Sequence, residues 1–183
     1  MQPKQKVPIV LVALLFVLAA IAEMATGRSR VVIDGDAAER TRQAALARMD
    51  GALARNDVAA ALRSWDEAYD LARRSRDWHA LVEAGDAHIR IGAAANASGA
   101  AAPRAREIYL AALNRARAAR SVEGVLRIAE GFAALGDREV TELALRIADS
   151  LASRGGDPAA ALQVETARGR LLPRASGLAQ ITF

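Results

Sequence analysis

Residues 81–112 read LVEAGDAHIRIGAAANASGAAAPRAREIYLAA, and their pattern decides the fold. Small residues surround one aromatic residue here, and the steps of three and four residues near it are the spacing of a single helix face. The order of turn residue, small residue, large residue and alanine occurs three times in the chain, at Asn56-Ala61-Trp65-Ala68, Gly92-Ala105-Tyr109-Ala112 and Gly136-Thr141-Leu145-Ala148. The chain therefore contains a repeat, and we predict an all-α protein.

The period of this repeat depends on one insertion. Trp65 and Tyr109 are 44 residues apart, whereas Tyr109 and Leu145 are 36 apart, and the 8 extra residues fall in 92–103. Without them the period is 36 throughout, which is typical of stacked helical hairpins that bind partners.

The inserted stretch reads GAAANASGAAAP. Asn96, Gly99 and Pro103 predict a long loop here, with the proline in the first turn of the next helix. The alternative is that its alanines prolong either neighbouring helix by a turn.

Capping signals set the other helix boundaries. Asp36 and Glu39 form a capping-box pattern, and Asp57, Asp77 and Asp157 each precede an apolar-periodic run. We expect helices at 37–54, 58–75, 78–91, 104–119, 122–135, 138–153 and 158–172, which make three hairpins and a C-terminal capping helix. The predicted organisation is a membrane segment at 1–27, a linker at 28–36, a repeat domain at 37–172 and a flexible tail at 173–183.

The small and large residues of each hairpin follow an order that resembles the tetratricopeptide repeat. The second hairpin carries Leu81, Ala84, Gly85, His88, Gly92, Ala105, Tyr109 and Ala112, the third carries Val125, Ile128, Ala129, Phe132, Gly136, Thr141, Leu145 and Ala148, and the first carries Ala45, Arg48, Met49, Ala52, Asn56, Ala61, Trp65 and Ala68. The sequence departs from the family in its longer period, in Arg48 and Met49, and in lacking a closing proline. The resemblance implies an α-solenoid of about three hairpins, and a plain helical bundle is the alternative.

The resemblance also implies a partner-binding groove on the first helix of each hairpin. Its register aligns an acidic column of Asp50, Asp86 and Glu130 beside apolar columns. The expected groove residues are Leu46, Asp50, Leu53, His79, Val82, Asp86, Ile89, Arg90, Leu126 and Glu130. Such a surface suits a peptide with basic and aliphatic side chains, and the alternative is that these acids are merely solvated helix positions.

The sequence offers little for catalysis. His79 and His88 are the only histidines; nine positions apart on one helix, they point to opposite sides and cannot share a metal ion. We expect His88 to be a hydrogen-bonded structural residue. The chain has no cysteine and no phosphate-binding or hydrolase motif, so we expect no catalytic residues, no metal and no cofactor. An enzyme or a nucleic-acid-binding protein is the least favoured class.

The net charge of +4 is small, but arginines are concentrated around the predicted fourth helix. They are Arg104, Arg106, Arg115, Arg117 and Arg120. Without interleaved aromatic residues, this surface fits anionic lipid headgroups or an acidic partner better than nucleic acid, and a solvated helix face is the alternative.

The N-terminus carries 16 consecutive uncharged residues, VPIVLVALLFVLAAIA at 7–22, after Lys4 and Lys6. This length spans about 24 Å as a helix, and charge asymmetry favours a single-pass segment with its N-terminus inside. The alternative is a signal peptide cleaved after Ala22. The first hypothesis is an adaptor anchored in a bacterial inner membrane, with an extracytoplasmic repeat domain that holds other envelope proteins in an assembly or secretion complex. The second is a soluble periplasmic peptide- or protein-binding protein.

Overall fold

The structure, a computed structural model, describes residues 35–172, and this range contains seven helices and no strand. The all-α prediction is confirmed. Helix α1 covers 35–54, and the others are α2 (Val58–Arg74), α3 (Trp78–Ala94), α4 (Ser98–Ala118), α5 (Val122–Ala134), α6 (Arg138–Gly155) and α7 (Pro158–Leu171).

The ends of these helices follow local side-chain chemistry. The carboxylates of Asp57, Asp77 and Asp157 each accept a backbone N–H from the first turn of the next helix at 2.9 Å. These bonds satisfy amides that have no partner within the helix. Asp137 stands at the same position before α6 but pairs with Arg106 instead. The cap is therefore replaced there by a contact with α4.

The predicted start of the first helix is wrong. Residues 35 and 36 are already helical, so Asp36 does not cap that end. The predicted membrane segment at 1–27, most of the predicted linker and the predicted tail at 173–183 lie outside the described residues. Within the range that is described, no helix has the length and apolarity needed to cross a membrane.

The chain divides into two compact units after Thr41. In the first, the described residues continue as helix, with the Thr41 hydroxyl donating to the Ala37 carbonyl at 2.9 Å. The second unit holds the core, and each of its helices from α2 onward contacts the next along the chain. Helix α5 also contacts α3 and α7, so alternate helices stand side by side in a helical-repeat arrangement.

Small residues dominate the core, as their spacing predicts. Ala45, Ala61, Ala84, Ala105 and Ala112 are almost fully buried, which lets neighbouring helices approach closely. Larger buried side chains fill the space between the hairpins, among them Trp65, Tyr109, Phe132 and Leu145. The indole N–H of Trp65 donates to the Ala84 carbonyl at 2.8 Å.

Tyr109 shows why glycine is needed at two helix seams. A Cβ placed on Gly85 of α3 would lie 2.6 Å from Cε1 of the tyrosine ring, and one on Gly131 of α5 would lie 3.0 Å from Cε2. The Tyr109 ring, which extends from α4, therefore lies between α3 and α5, and each of its two edges contacts the backbone of a glycine.

The predicted loop at 92–103 is wrong. Helix α3 continues to Ala94, and α4 begins at Ser98 with Pro103 inside it. At 17 residues α3 is four longer than α5, and at 21 residues α4 is four longer than α2. The insertion thus adds about one turn to each helix of the middle hairpin. The two turns pack on one another, because a Cβ on Gly92 would collide with the Ala101 methyl group.

Candidate functional site

A cleft of about 850 Å³ lies along α3, α5 and α7. These helices are the first helices of the second and third hairpins and the C-terminal helix. The lining residues are Trp78, His79, Val82, Glu83 and Asp86 from α3, Glu123, Leu126, Arg127 and Glu130 from α5, and Leu162, Gln163, Thr166, Ala167 and Arg170 from α7.

Five of the ten expected groove residues line this cleft, namely His79, Val82, Asp86, Leu126 and Glu130. The other five are not among its lining residues. Leu46, Leu53 and Ile89 are partly buried and pack against the core. Asp50 of α1 pairs with Arg90 of α3 at 3.1 Å.

Every member of the expected acidic column has an arginine partner. Asp50 pairs with Arg90, and the other two pairs are Asp86 with Arg127 and Glu130 with Arg170. Each pair joins the first helix of one hairpin to the first helix of the following hairpin. Helix α7 takes the place that the first helix of a fourth hairpin would have. The column is therefore a series of interhelical ion pairs, not a bare acidic stripe.

Asp86 has a second contact that ties the cleft to the core. One carboxylate oxygen accepts the Tyr109 hydroxyl at 2.6 Å, while the other accepts from Arg127. Burial raises the pKa of Tyr109 well above its ordinary value, and the bond to the carboxylate adds to this. The phenol therefore stays protonated and donates to Asp86.

The cleft end near the N-termini of α3 and α5 carries exposed apolar and acidic side chains. Leu162 is 69% exposed, and Glu123 is exposed with no ion-pair partner within 35–172. Trp78 lies against α5, where a Cβ on Gly124 would be 2.8 Å from its indole. Glu83 nearby pairs with the buried Arg42 and lies 3.6 Å from His79 Nδ1. This end combines apolar surface with carboxylates.

The α7 residues of the cleft were missed by sequence reasoning, which treated α7 only as a cap. A signal was present, because Arg170 follows Glu130 by 40 residues and Thr166 follows Leu126 by the same step. The same 40-residue spacing separates three turn residues that have positive φ, namely Asn56, Asn96 and Gly136. Continuing this spacing would have placed α7 as another first helix.

The two histidines differ in their surroundings. The His88 ring lies against Trp65 with centroids 4.5 Å apart and a tilt of 38°, and its Nδ1 is buried without a hydrogen-bond partner among the described residues. We expected His88 to be a hydrogen-bonded structural residue, and no such bond is found at Nδ1 within residues 35–172. Burial lowers the pKa of His88, and the charge of Arg104 lowers it further. Within 35–172 no group of three or more His, Cys, Asp or Glu side chains could hold a metal ion.

The cleft thus combines apolar side chains such as Val82 and Leu126 with the ion pairs of Asp86 and Glu130. Comparisons with known proteins do not add to it: no protein-family model matches the chain, and no curated protein matches it.

Proposed function

We propose that residues 37–172 form a tetratricopeptide-like α-solenoid that binds a segment of another protein in the cleft along α3, α5 and α7. The observation that carries this proposal is the cleft itself. Its volume of about 850 Å³ is near the upper end of ordinary ligand pockets, so it can take several side chains at once. Its walls are rigid helices, which suits recognition of a partner by a preformed surface.

The chemistry of the lining favours a partner segment with aliphatic and basic side chains. Val82, Leu126 and Ala167 supply apolar surface along the cleft, and Leu162 and Trp78 add to it at one end. The four lining carboxylates exceed the two lining arginines. Since Glu83, Asp86 and Glu130 are already paired with arginines, Glu123 is the acid that a basic residue of the partner would meet.

We further propose that the chain is a membrane-anchored extracytoplasmic adaptor in a bacterial envelope complex. The support is the apolar segment at 7–22, with lysines before it. The competing possibility is a soluble periplasmic binding protein released by cleavage after Ala22. Intact-mass measurement of the membrane and soluble fractions distinguishes them, because a mature chain that begins at Glu23 rules out the anchor.

The cleft is tested by photo-crosslinking in cells that express the full chain. A photoreactive residue at position 162 should capture one or a few defined proteins. The same residue at 143 should not, because Leu143 is 43% exposed on α6 and does not line the cleft. Leu162→Asp should abolish capture by a photoreactive residue placed at Gln163, whereas Leu143→Asp should leave it intact.

Both leucines are exposed, so neither substitution removes core packing. Identical crosslinked products at 162 and 143, or undiminished capture at 163 in Leu162→Asp, would count against the cleft. Peptides selected on the purified protein should be enriched in Lys or Arg together with Leu, Ile or Val. Selection of acidic peptides would contradict the proposed partner chemistry while leaving the location of the site open to the crosslinking result.

A further inference from the structure

The arginines expected to form a basic surface around α4 divide into two groups. Arg104 pairs with Glu107 at 2.7 Å, and Arg106 pairs with Asp137. Arg115 caps the end of α2, where its guanidinium donates to the carbonyls of Ala72 and Arg73 at 3.0 and 2.7 Å. These three arginines have structural partners. The guanidinium groups of Arg117 and Arg120 have no hydrogen-bond or ion-pair partner within residues 35–172.

Two arginines of α6 join the second group. Arg117, Arg120 and Arg154 line a cavity of about 360 Å³ with Leu151 and Gly155. A neighbouring cavity of about 240 Å³ is lined by Arg117, Arg146, Arg154, Ile147 and Ser150. Arg117 and Arg154 are common to both cavities, so the four arginines line two adjoining cavities.

No carboxylate lines either cavity. Arg154 donates from Nε to the Ser150 carbonyl at 3.0 Å, which leaves its terminal nitrogens available. Elsewhere in the described chain, by contrast, carboxylates such as Asp86 and Glu130 stand beside arginines. Arg117 and Arg154 lie in the last turns of their helices, where the helix dipole favours a cation. Arg120 follows the C-cap of α4, Arg146 lies outside the last turn of α6, and both add like charge that repels the other two arginines.

Arg120 supplies a second, independent observation. It has a φ of 55°, in the left-handed region that non-glycine residues rarely adopt. Within residues 35–172, the other positive-φ turn positions are Asn56, Asn96, Gly136 and Gly156. Asparagine and glycine tolerate this conformation far better than arginine does. An arginine is therefore kept at a turn where its backbone is strained and its charge is unpaired.

We propose that Arg117, Arg120, Arg146 and Arg154 form a binding site for a phosphate-bearing anion, either a free phosphate compound or the headgroup of an anionic phospholipid. Guanidinium groups match phosphate oxygens with paired, charge-assisted hydrogen bonds. The bound anion relieves the repulsion among the four arginines. The site is on α4, α6 and the turn after α4, and it shares no residue with the cleft, so it is independent of the proposed partner binding.

The test uses the full chain in a mild non-ionic detergent and isothermal titration calorimetry. One arm titrates inorganic phosphate and pyrophosphate against sodium chloride of equal ionic strength. The other arm titrates short-chain phosphatidylglycerol against short-chain phosphatidylcholine. Binding of pyrophosphate identifies a free phosphate compound as a ligand, and selective binding of phosphatidylglycerol alone identifies the lipid headgroup.

The double variant Arg117→Gln/Arg154→Gln should weaken either interaction by about tenfold for each arginine removed. The control is Arg63→Gln/Arg74→Gln, which removes the same charge from exposed positions on α2 and should leave binding unchanged. Arg120→Gly gives a separate readout, because it relieves the backbone at φ 55° and removes one ligand group. We expect it to raise the melting temperature and weaken anion binding together.

Absence of binding above the chloride and phosphatidylcholine references would overturn the proposal. Equal weakening in the α2 control would also overturn it, because net charge alone would then explain the binding. If Arg117→Gln/Arg154→Gln fails to fold, Arg120→Gly decides the matter, since undiminished binding in that more stable variant contradicts the proposed site.

Discussion

Substitution of Gly85 by alanine tests the close contact between α3 and Tyr109. The new Cβ would lie 2.6 Å from Cε1 and 3.0 Å from Cδ1 of the ring, whereas carbon atoms ordinarily approach to about 3.5–4.0 Å. The ring would have to move by roughly 1 Å to restore that separation. It has little room to do so, because its other edge faces the backbone at Gly131 and its hydroxyl is bound to Asp86.

Two effects of opposite sign set the expected magnitude. Replacing glycine with alanine inside a helix stabilises it by about 0.5–1 kcal/mol. Overpacking a core contact costs about 1–3 kcal/mol. We therefore expect Gly85→Ala to lower the free energy of unfolding by about 1 kcal/mol overall, with overpacking the larger effect.

Gly51→Ala is the matched control. Gly51 also lies inside a helix, but a Cβ there would meet only a guanidinium nitrogen of Arg55 at 3.6 Å. This substitution should raise the free energy of unfolding by about 0.5–1 kcal/mol through helix propensity alone. In a Tyr109→Leu background, Gly85→Ala should change sign and behave like the control, because the ring edge is gone.

Urea denaturation of the full-length protein, followed by tryptophan fluorescence in mild detergent, measures all four variants. Trp65 and Trp78 both lie in the helical unit and report on its unfolding. The reasoning is refuted if Gly85→Ala stabilises the protein as much as Gly51→Ala does. It is equally refuted if the effect of Gly85→Ala is the same with and without Tyr109.

Three further substitutions test other contacts. Tyr109→Phe removes the hydrogen bond to Asp86 and should lower the free energy of unfolding by about 1.5–3 kcal/mol in urea denaturation, and an unchanged value would contradict a bond to a charged acceptor. His88→Phe should remove part of the acid sensitivity of the melting temperature, because burial lowers the pKa of His88 in the folded protein. The neutral His88 contributes its full stability above the ordinary pKa of about 6.5. That contribution falls as the pH drops below 6.5 toward the lowered pKa of the folded protein. His79→Gln is the control on the same helix, and an acid profile like wild type in His88→Phe would argue against this role. Pro103→Ala should raise the free energy of unfolding by about 1–3 kcal/mol, because an exposed proline inside α4 cannot donate to the carbonyl one turn earlier. An unchanged free energy of unfolding would argue that helix α4 does not begin before Pro103.

The positions of most helices could be predicted from the sequence because side chains next to each boundary determine where the helix begins or ends. Asp57 and Asp77 cap the helices that follow them, and their effect does not depend on distant residues. The stretch 92–103 was misread because Gly99 and Pro103 argue for a loop, while its alanines favour helix. The helical conformation of this stretch is favoured by packing between the two added turns, where Gly92 faces Ala101. That contact depends on the pairing of two helices and is not visible in either one alone.

The candidate site was predictable in outline but not in its electrostatics. Helical periodicity places Val82, Asp86 and Leu126 on one surface, and the cleft includes all three. Pairing of Asp86 with Arg127 depends on the distance between α3 and α5, which no single-helix pattern contains. For the same reason the sequence suggested an acidic surface where the folded chain has neutralised pairs.

The two contacts of Asp86 limit which positions of the cleft can change during evolution. Its carboxylate faces the cleft and also holds the Tyr109 hydroxyl, so a change that altered partner choice there would loosen a helix seam at the same time. Natural variation in partner preference should therefore accumulate at Glu123, Leu162 and Gln163, whose side chains are exposed, while Asp86 and Tyr109 change together or not at all. For the proposed function, we therefore expect the middle of the cleft to tolerate few substitutions and its outer end to tolerate more.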